Sequence, residues 1–378
     1  MILSSDRIIT THTGSLPRPA ALTELHAARS RGEPVDEAAL ALAVADATRS
    51  AITAQLDAGI DVGNDGEQAR ESFFTYVQHR MTGFGGVSHR PLMRDLTDHP
   101  DFLELTAGRR RPVNLLAPPA AVGAVTYRDT TEVAAECALI ADAPFAERFM
   151  TAASPGIVAS AMEDRHYGSM ERYVSAVAAA LSTEYHYIAG QGLLLQVDAP
   201  DLALERHTLF ADRPLVDFIG WVELVVDALN TALDGIGRDR IRLHVCWGNY
   251  EGPHTRDVPL EEILRPLYEA QVGALVLSMA NARHAHEHAC FARRPLPDGM
   301  ALVAGVIDTT SNYVEHPEVV ADRLVAVARA VGDPHRVIAG TDSGFDTSAG
   351  FGAVAPSVVW DKLRALRAGA DLATERLL

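Results

Sequence analysis

Ile241-Arg242-Leu243-His244-Val245-Cys246-Trp247-Gly248-Asn249-Tyr250 is the stretch whose reading decides the fold. Its first six residues suit a short buried strand, and Gly248-Asn249 is a loop signal directly after it. Side chains two apart on a strand point the same way, so His244 and Cys246 share one face at the strand end. An imidazole beside a thiol in that position is half of a zinc site of the kind that holds a thiol substrate. The plainer reading is a cysteine packed as a small hydrophobe and a histidine bonded to a backbone group. The spacing alone leaves both open.

Working outward, helical patterns flank this strand at about Leu215 to Leu233 and Leu260 to Ala270. The same alternation recurs along the chain. Strands are expected at Arg7 to Pro19, Ile60 to Asn64, Arg148 to Ala153, Leu193 to Asp198, Ala274 to Met279, Leu302 to Ile307 and Val337 to Ser343. Helices are expected at Glu37 to Asp57, capped by Asp36 and stopped at Gly59, and at Met170 to Ala189, Pro317 to Val331 and Pro356 to Leu378. Eight buried strands separated by helices, each ending in Gly, Pro or a polar side chain, predict an α/β fold of the (β/α)8 TIM-barrel type. No glycine-rich dinucleotide turn follows the first strand, which argues against an open doubly wound sheet. Residues 72–142 break the rhythm with Pro-rich and charged pieces, a hairpin-like Val113 to Tyr127 and a helix Glu132 to Ala141. No linker composition flanks them, so they read as an insertion in a single domain spanning 1–378.

Composition narrows the partners. The net charge of −17 over 378 residues disfavours nucleic acid and anionic membrane, leaving a small-molecule substrate, with a homo-oligomer left open. No apolar run is long enough to span a bilayer, and Met1-Ile2-Leu3-Ser4-Ser5 is not a signal peptide. Cys137, Cys246 and Cys290 are too few and too scattered for a disulfide framework, so a cytoplasmic location is expected.

Five stretches in order carry a resemblance: Thr13-Gly14-Ser15-Leu16-Pro17-Arg18-Pro19, Asn64-Asp65-Gly66-Glu67-Gln68, Asp198-Ala199-Pro200-Asp201-Leu202, His244 to His254, and Gly340-Thr341-Asp342-Ser343-Gly344-Phe345. Together they resemble the catalytic barrel of cobalamin-independent methionine synthase, and more closely its single-barrel relatives that include epoxyalkane:coenzyme M transferase. The resemblance implies a zinc ion that binds a thiol and keeps it as a thiolate nucleophile. It implies four ligands: a His-x-Cys pair, a Glu on the next strand and a Cys in an Asp-Cys-Gly turn. The pair is present as His244 and Cys246, but Ser278 stands at the Glu position and Ser343 at the second Cys. Neutral hydroxyls are poor zinc ligands. Either zinc is held by His244 and Cys246 with waters and a substitute carboxylate such as Asp342, or the cofactor is none. The histidine that serves as proton donor in that family is absent from Asp308-Thr309-Thr310-Ser311. The long methionine synthases pair two barrels; with one here, a polyglutamated folate donor is not expected.

Gly14-Ser15, Glu67 and Asp198 match the turn and carboxylates that hold the amino-acid portion of homocysteine. The expected substrate contacts are therefore Ser15, Arg18, Glu67, Asp198, Asn249 and His254, and the expected catalytic groups are His244, Cys246, Asp198 and Asp308. Arg18 could equally pair with a carboxylate of the barrel mouth. His12 reads as a hydrogen-bonded core histidine, Trp247 as wall, and Phe73, Phe74 and Tyr76 as core packing or lid. The run His284 to Cys290 could lend further ligands to a metal, but its His-Glu alternation reads more simply as solvated surface. The function expected is transfer of a methyl or alkyl group to or from a thiol such as homocysteine. The alternative is a zinc-free lyase or decarboxylase acting on a small acidic or amino-acid-like substrate in the same pocket, with Asp198, Glu67 and His244 doing the acid–base work.

Overall fold

The computed structural model describes residues 1–108, 112–113 and 115–378. The strands in chain order are β1 Val62–Gly63, β2 Met81–Gly85, β3 Ala120–Tyr127, β4 Glu147–Ala153, β5 Leu194–Asp198, β6 Ile241–Val245, β7 Ala274–Ser278, β8 Ala301–Ile307 and β9 Val337–Thr341. Among the described residues, seven of them form a parallel sheet in the order β1-β4-β5-β6-β7-β8-β9. The eighth place belongs to Thr10 and Thr11, which bridge in parallel to Ala339 on β9 and Val62 on β1. Thr11 N–H donates to Ala339 O at 2.8 Å and Val62 N–H to Thr10 O at 3.0 Å, so the ring closes. The first strand is thus far shorter than the run Arg7 to Pro19 suggests.

Alternation along the strands decides what lines the barrel. Ile9, Val62, Phe149, Leu194, Ala274, Val276, Ala301, Val303 and Ile338 pack together as one apolar plug. Above it Arg242 lies over the Phe149 ring, 3.7 Å from its centroid, and donates to Thr11 Oγ1 and His12 O. Two residues further along β6 comes His244. The outer faces pack on helices. Pro317–Val331 buries Val320, Ala321, Leu324, Val327, Ala328 and Val331, the i, i+3, i+4, i+7 stripe of a core-facing helix, and stops at Gly332 with φ 83°.

Between β1 and β4 the chain builds a collar. β3 pairs antiparallel with β2, from Met81↔Tyr127 to Gly85↔Ala120. The hairpin expected within Val113 to Tyr127 is therefore not formed; Pro118 and Pro119 lack the donors a return strand needs, and Asn114 lies outside the described residues. Buried charge anchors the collar: Tyr76 and Tyr127 both donate to Glu184 at 2.6 Å, and Arg70 pairs with Glu136 at 2.8 Å. Tyr76 is core, not lid. No helix among the described residues is long and apolar enough to cross a membrane.

Candidate active site

The barrel mouth opens into a cavity of about 950 Å³. Ser15, Glu67, Asp198, His244, Cys246 and Asn249 all line it, as does Ser343. The outer wall is apolar and comes mainly from the collar: Leu92, Met93, Leu96, Phe102 and Leu103, with Phe73 and Phe74.

Asp198 and His244 sit in register on β5 and β6, and Asp198 Oδ1 lies 3.1 Å from His244 Nδ1. Gln196 steadies the same oxygen through Nε2 at 2.7 Å. His244 Nε2 is buried without a hydrogen bond. Burial works against charge on this imidazole, but the neighbouring Cys246 thiol and Asp198 outweigh it and push its pKa up to about 10. Burial likewise works against a Cys246 thiolate, yet His244, the Gly248 N–H and the Ser343 hydroxyl hold its pKa below the usual range. Each group therefore favours the charged form of the other.

Glu67 comes from the tight turn after β1. Its backbone is left-handed, φ 57°, a strain of about 1–3 kcal/mol for a non-glycine residue. The Asp65 carboxylate accepting from Glu67 N–H at 2.9 Å and Arg18 donating to Glu67 O at 2.7 Å maintain it. The close approach demands Gly14, where a Cβ would stand 2.6 Å from Glu67 Oε1. Burial first, then the charge of Asp198, push the Glu67 pKa up to about 8. Glu67 Oε2 and Ser15 Oγ, like His244 Nε2, make no hydrogen bond.

Other expected residues are placed differently. Arg18 does not reach the cavity and so is no substrate contact. Of its two readings the carboxylate pairing is the one formed, with Asp346 at 3.1 Å, and it braces Glu67 from behind the turn. Asn249 is engaged at both ends, donating to Gly344 O at 2.7 Å and accepting from Thr309 Oγ1 at 2.9 Å. Asp308 lines a second, smaller cavity, where its Oδ1 accepts from Thr310 N–H and hydroxyl. His12 is a core histidine bonded to Gln55 at 2.8 Å, its pKa lowered to about 3 chiefly by burial.

A four-donor zinc does not fit this floor. Ser278 Oγ donates to Asp342 O at 2.8 Å, and Ser343 faces Cys246. Asp342 cannot substitute, because Met279 and Ala280 N–H occupy Oδ1 while Asn281 N–H and Nδ2 occupy Oδ2, all within 2.9 Å. Two donors remain, His244 and Cys246, too few for a closed zinc site.

Behind the Trp247 wall lies a second group of polar side chains. His254, Asp257 and His284 converge, and His254 and Asp308 share the second cavity of about 460 Å³ with His284. Both His254 nitrogens are occupied, by Asp257 and Tyr250 O, so its expected contact with substrate in the main cavity is not formed. His284 is buried and stacks on Trp247 at 3.8 Å, so the run that reads as solvated surface turns inward at His284, Glu287 and Cys290. That spacing of three is the period of the 3₁₀ turn at Glu287–Ala292, and it was the signal available in the sequence.

No protein-family model matches the chain. Among curated proteins it is 24% identical over 264 residues to the methionine synthase of Sulfolobus acidocaldarius, covering 67% of this chain and 66% of that one. It is 24% identical over 243 residues to the 2-hydroxypropyl-CoM lyase of Xanthobacter autotrophicus, covering 57% and 59%. The chain thus spans just under two thirds of the first of these relatives and about three fifths of the second. Among solved structures it superposes on a B12-independent methionine synthase from Shewanella sp. W3-18-1 in complex with selenomethionine, with TM-score 0.74, 22% identity and 98% of each chain. A methyltransferase from Methanosarcina mazei follows at TM-score 0.53 and 11% identity, covering 97% of this chain and 94% of that one. The resemblance read from the sequence holds: the chain's relatives bear the names methionine synthase and 2-hydroxypropyl-CoM lyase, and its fold is the B12-independent methionine synthase barrel.

Proposed function

We propose that this chain is an enzyme that moves a methyl or alkyl group to or from a small thiol at the barrel mouth, without a resident zinc at His244 and Cys246. The observation that carries the reading is the set of three buried polar atoms, Ser15 Oγ, Glu67 Oε2 and His244 Nε2, that surround one cavity and have no protein partner. A buried polar atom left unpaired costs about 1–3 kcal/mol. Three around one cavity are an arrangement that a polar ligand completes. Glu67 and Asp198 suit the ammonium of an amino-acid thiol such as homocysteine. Cys246, as the thiolate, takes the proton of the incoming thiol, and the His244 imidazolium, steadied by Asp198, then faces the substrate thiolate. That thiolate attacks the carbon of an electrophilic donor, whose leaving group departs with the electron pair of its bond. In the reverse direction a nucleophilic acceptor takes the carbon, the carbon–sulfur pair stays on the sulfur, and Cys246 returns the proton to it.

The two serines favour one second reading, a lyase or decarboxylase. There Glu67, its carboxyl pKa pushed up by burial and then by Asp198, is the acid. Purified protein mixed with L-homocysteine and an electrophilic methyl donor should consume free thiol, and Cys246→Ser should lose most of that activity. Natural protein that consumes no free thiol and binds none by calorimetry sinks the transfer reading and leaves the lyase.

A further inference from the structure

We infer that His254, Asp257 and His284 form a binding site for one divalent transition-metal ion, a site separate from the His244–Cys246 pair. The three side chains come from the loop after β6 and the segment after β7, and one donor atom of each lies within 4.8 Å of the others. Asp257 Oδ2 stands 2.8 Å from His254 Nδ1 and 2.8 Å from His284 Nε2. Imidazole nitrogen with a carboxylate oxygen suits zinc, cobalt, nickel or copper better than calcium or magnesium.

The far side of each ring is arranged as a metal-bound histidine requires. His254 Nε2 faces Tyr250 O at 3.0 Å, and His284 Nδ1 faces Glu287 Oε2 at 2.9 Å. A histidine that ligates through one nitrogen nearly always donates its other N–H to a carbonyl or a carboxylate, which fixes the tautomer. Glu287 is itself held, its other oxygen accepting from Leu260 N–H at 2.8 Å. His254 is kept in a left-handed backbone conformation, φ 51°, to bring its ring into line.

A second, independent feature points to a missing ligand. Asp257 Oδ1 and both ring nitrogens of His207 are buried and make no hydrogen bond, although His207 Nε2 is only 3.4 Å from that oxygen and Nδ1 only 3.4 Å from Asp95. Asp257 Oδ1 is thus held only by an ion-pair contact to His207 without hydrogen-bond geometry, which leaves this carboxylate able to turn an oxygen toward a cation. His254 and His284 also line the second cavity, so a metal there would keep a coordination position open to a small ligand.

Protein stripped with a chelator and titrated with cobalt(II) tests this. The expected result is one equivalent bound, with visible d–d bands and no sulfur-to-cobalt charge-transfer band. Cys246→Ser should bind identically, whereas Asp257→Asn and His254→Gln should lose binding. Glu287→Gln, which keeps every ligand, should weaken it by roughly 10–100-fold. A thermal melt of each variant without metal separates loss of the site from loss of the fold. Absence of saturable binding by the unaltered protein overturns the proposal. So does a charge-transfer band that vanishes in Cys246→Ser, because the ion would then sit on β6. Neither result bears on thiol consumption at the barrel mouth, so this site and the proposed function can fail separately.

Discussion

The floor of the barrel mouth and the histidine cluster behind Trp247 use the same kinds of side chain to opposite ends. On the floor the donors face outward into a large cavity and leave Ser15, Glu67 and His244 atoms unpaired toward it. In the cluster the donors face one another, with Asp257 shared between two imidazoles. The first arrangement awaits a molecule with a polar head and room for an apolar body. The second awaits an ion. The two regions also differ in origin, since the floor stands on rigid strand ends while the cluster is assembled from loops and the collar.

The largest expected effect breaks the floor alone. His244→Gln removes the cation that faces the substrate thiolate and should lower kcat/KM by roughly 10²–10⁴-fold. Cobalt binding in the cluster should be unaffected. A variant of near-normal kcat/KM would mean that the floor is not where chemistry happens.

Next in size is a change that makes the floor behave more like the cluster. Ser343→Cys places a second thiol beside Cys246 and raises the local donors from two to three. The variant should take up one additional equivalent of cobalt, this time with an intense sulfur-to-cobalt charge-transfer band. If no extra metal binds, the serine at 343 is not what keeps zinc from the floor.

A smaller effect follows from Glu67. Its carboxyl pKa is raised from 4.5 to about 8, by burial and then by Asp198. The folded protein therefore holds a proton that the unfolded chain releases above pH 4.5. The stability this gives is fully present below pH 4.5 and is lost as pH rises through 8. The fall from this one group is at most about 1.4 kcal/mol per pH unit. Urea midpoints measured from pH 5 to 8 should fall less steeply for Glu67→Gln than for the natural protein. Parallel slopes would show that Glu67 is ionised throughout and that its ammonium-binding role needs no proton release.

The contrast also explains what the sequence discloses. The helix Pro317–Val331 is legible to the residue because Pro317 opens it and Gly332 closes it, and Glu37–Asp57 because Asp36 caps it. His244 and Asp198 are legible because a strand of period two fixes where every second side chain points. Arg18 is legible only as a choice of two, substrate grip or carboxylate partner, because the Asp346 that decides it lies 328 residues away. The cluster is hardly legible at all. Asp95 reaches His254 across 159 residues, from a collar whose pairing of Met81 with Tyr127 no local periodicity reveals. The spacing of three from His284 to Cys290 marks an inward face, but nothing in the sequence brings His254 and Asp257 to it.

The smallest expected effect probes that long-range assembly. Tyr250 donates its hydroxyl to Asp95 Oδ2 at 2.7 Å, and His254 N–H donates to the same oxygen at 2.8 Å. Both the loop after β6 and the collar are pinned at this one buried carboxylate, whose pKa is lowered to about 2 despite burial by His207, Tyr250 and the His254 N–H. Tyr250→Phe removes one donor and leaves the other, so Asp95 stays partly satisfied and the loss should be about 1.5–3 kcal/mol, the usual range for a hydrogen bond to a charged group. The ring still packs near His254, 4.3 Å between centroids, so little of the change comes from packing. If the collar is held to the cluster chiefly through Asp95, amide exchange in Arg94–Thr97 and Pro100–Thr106 should quicken in the variant while β5 and β6 stay protected. Uniform loss of protection across both regions would mean that collar, cluster and floor unfold as one unit, and the division drawn between them would not survive.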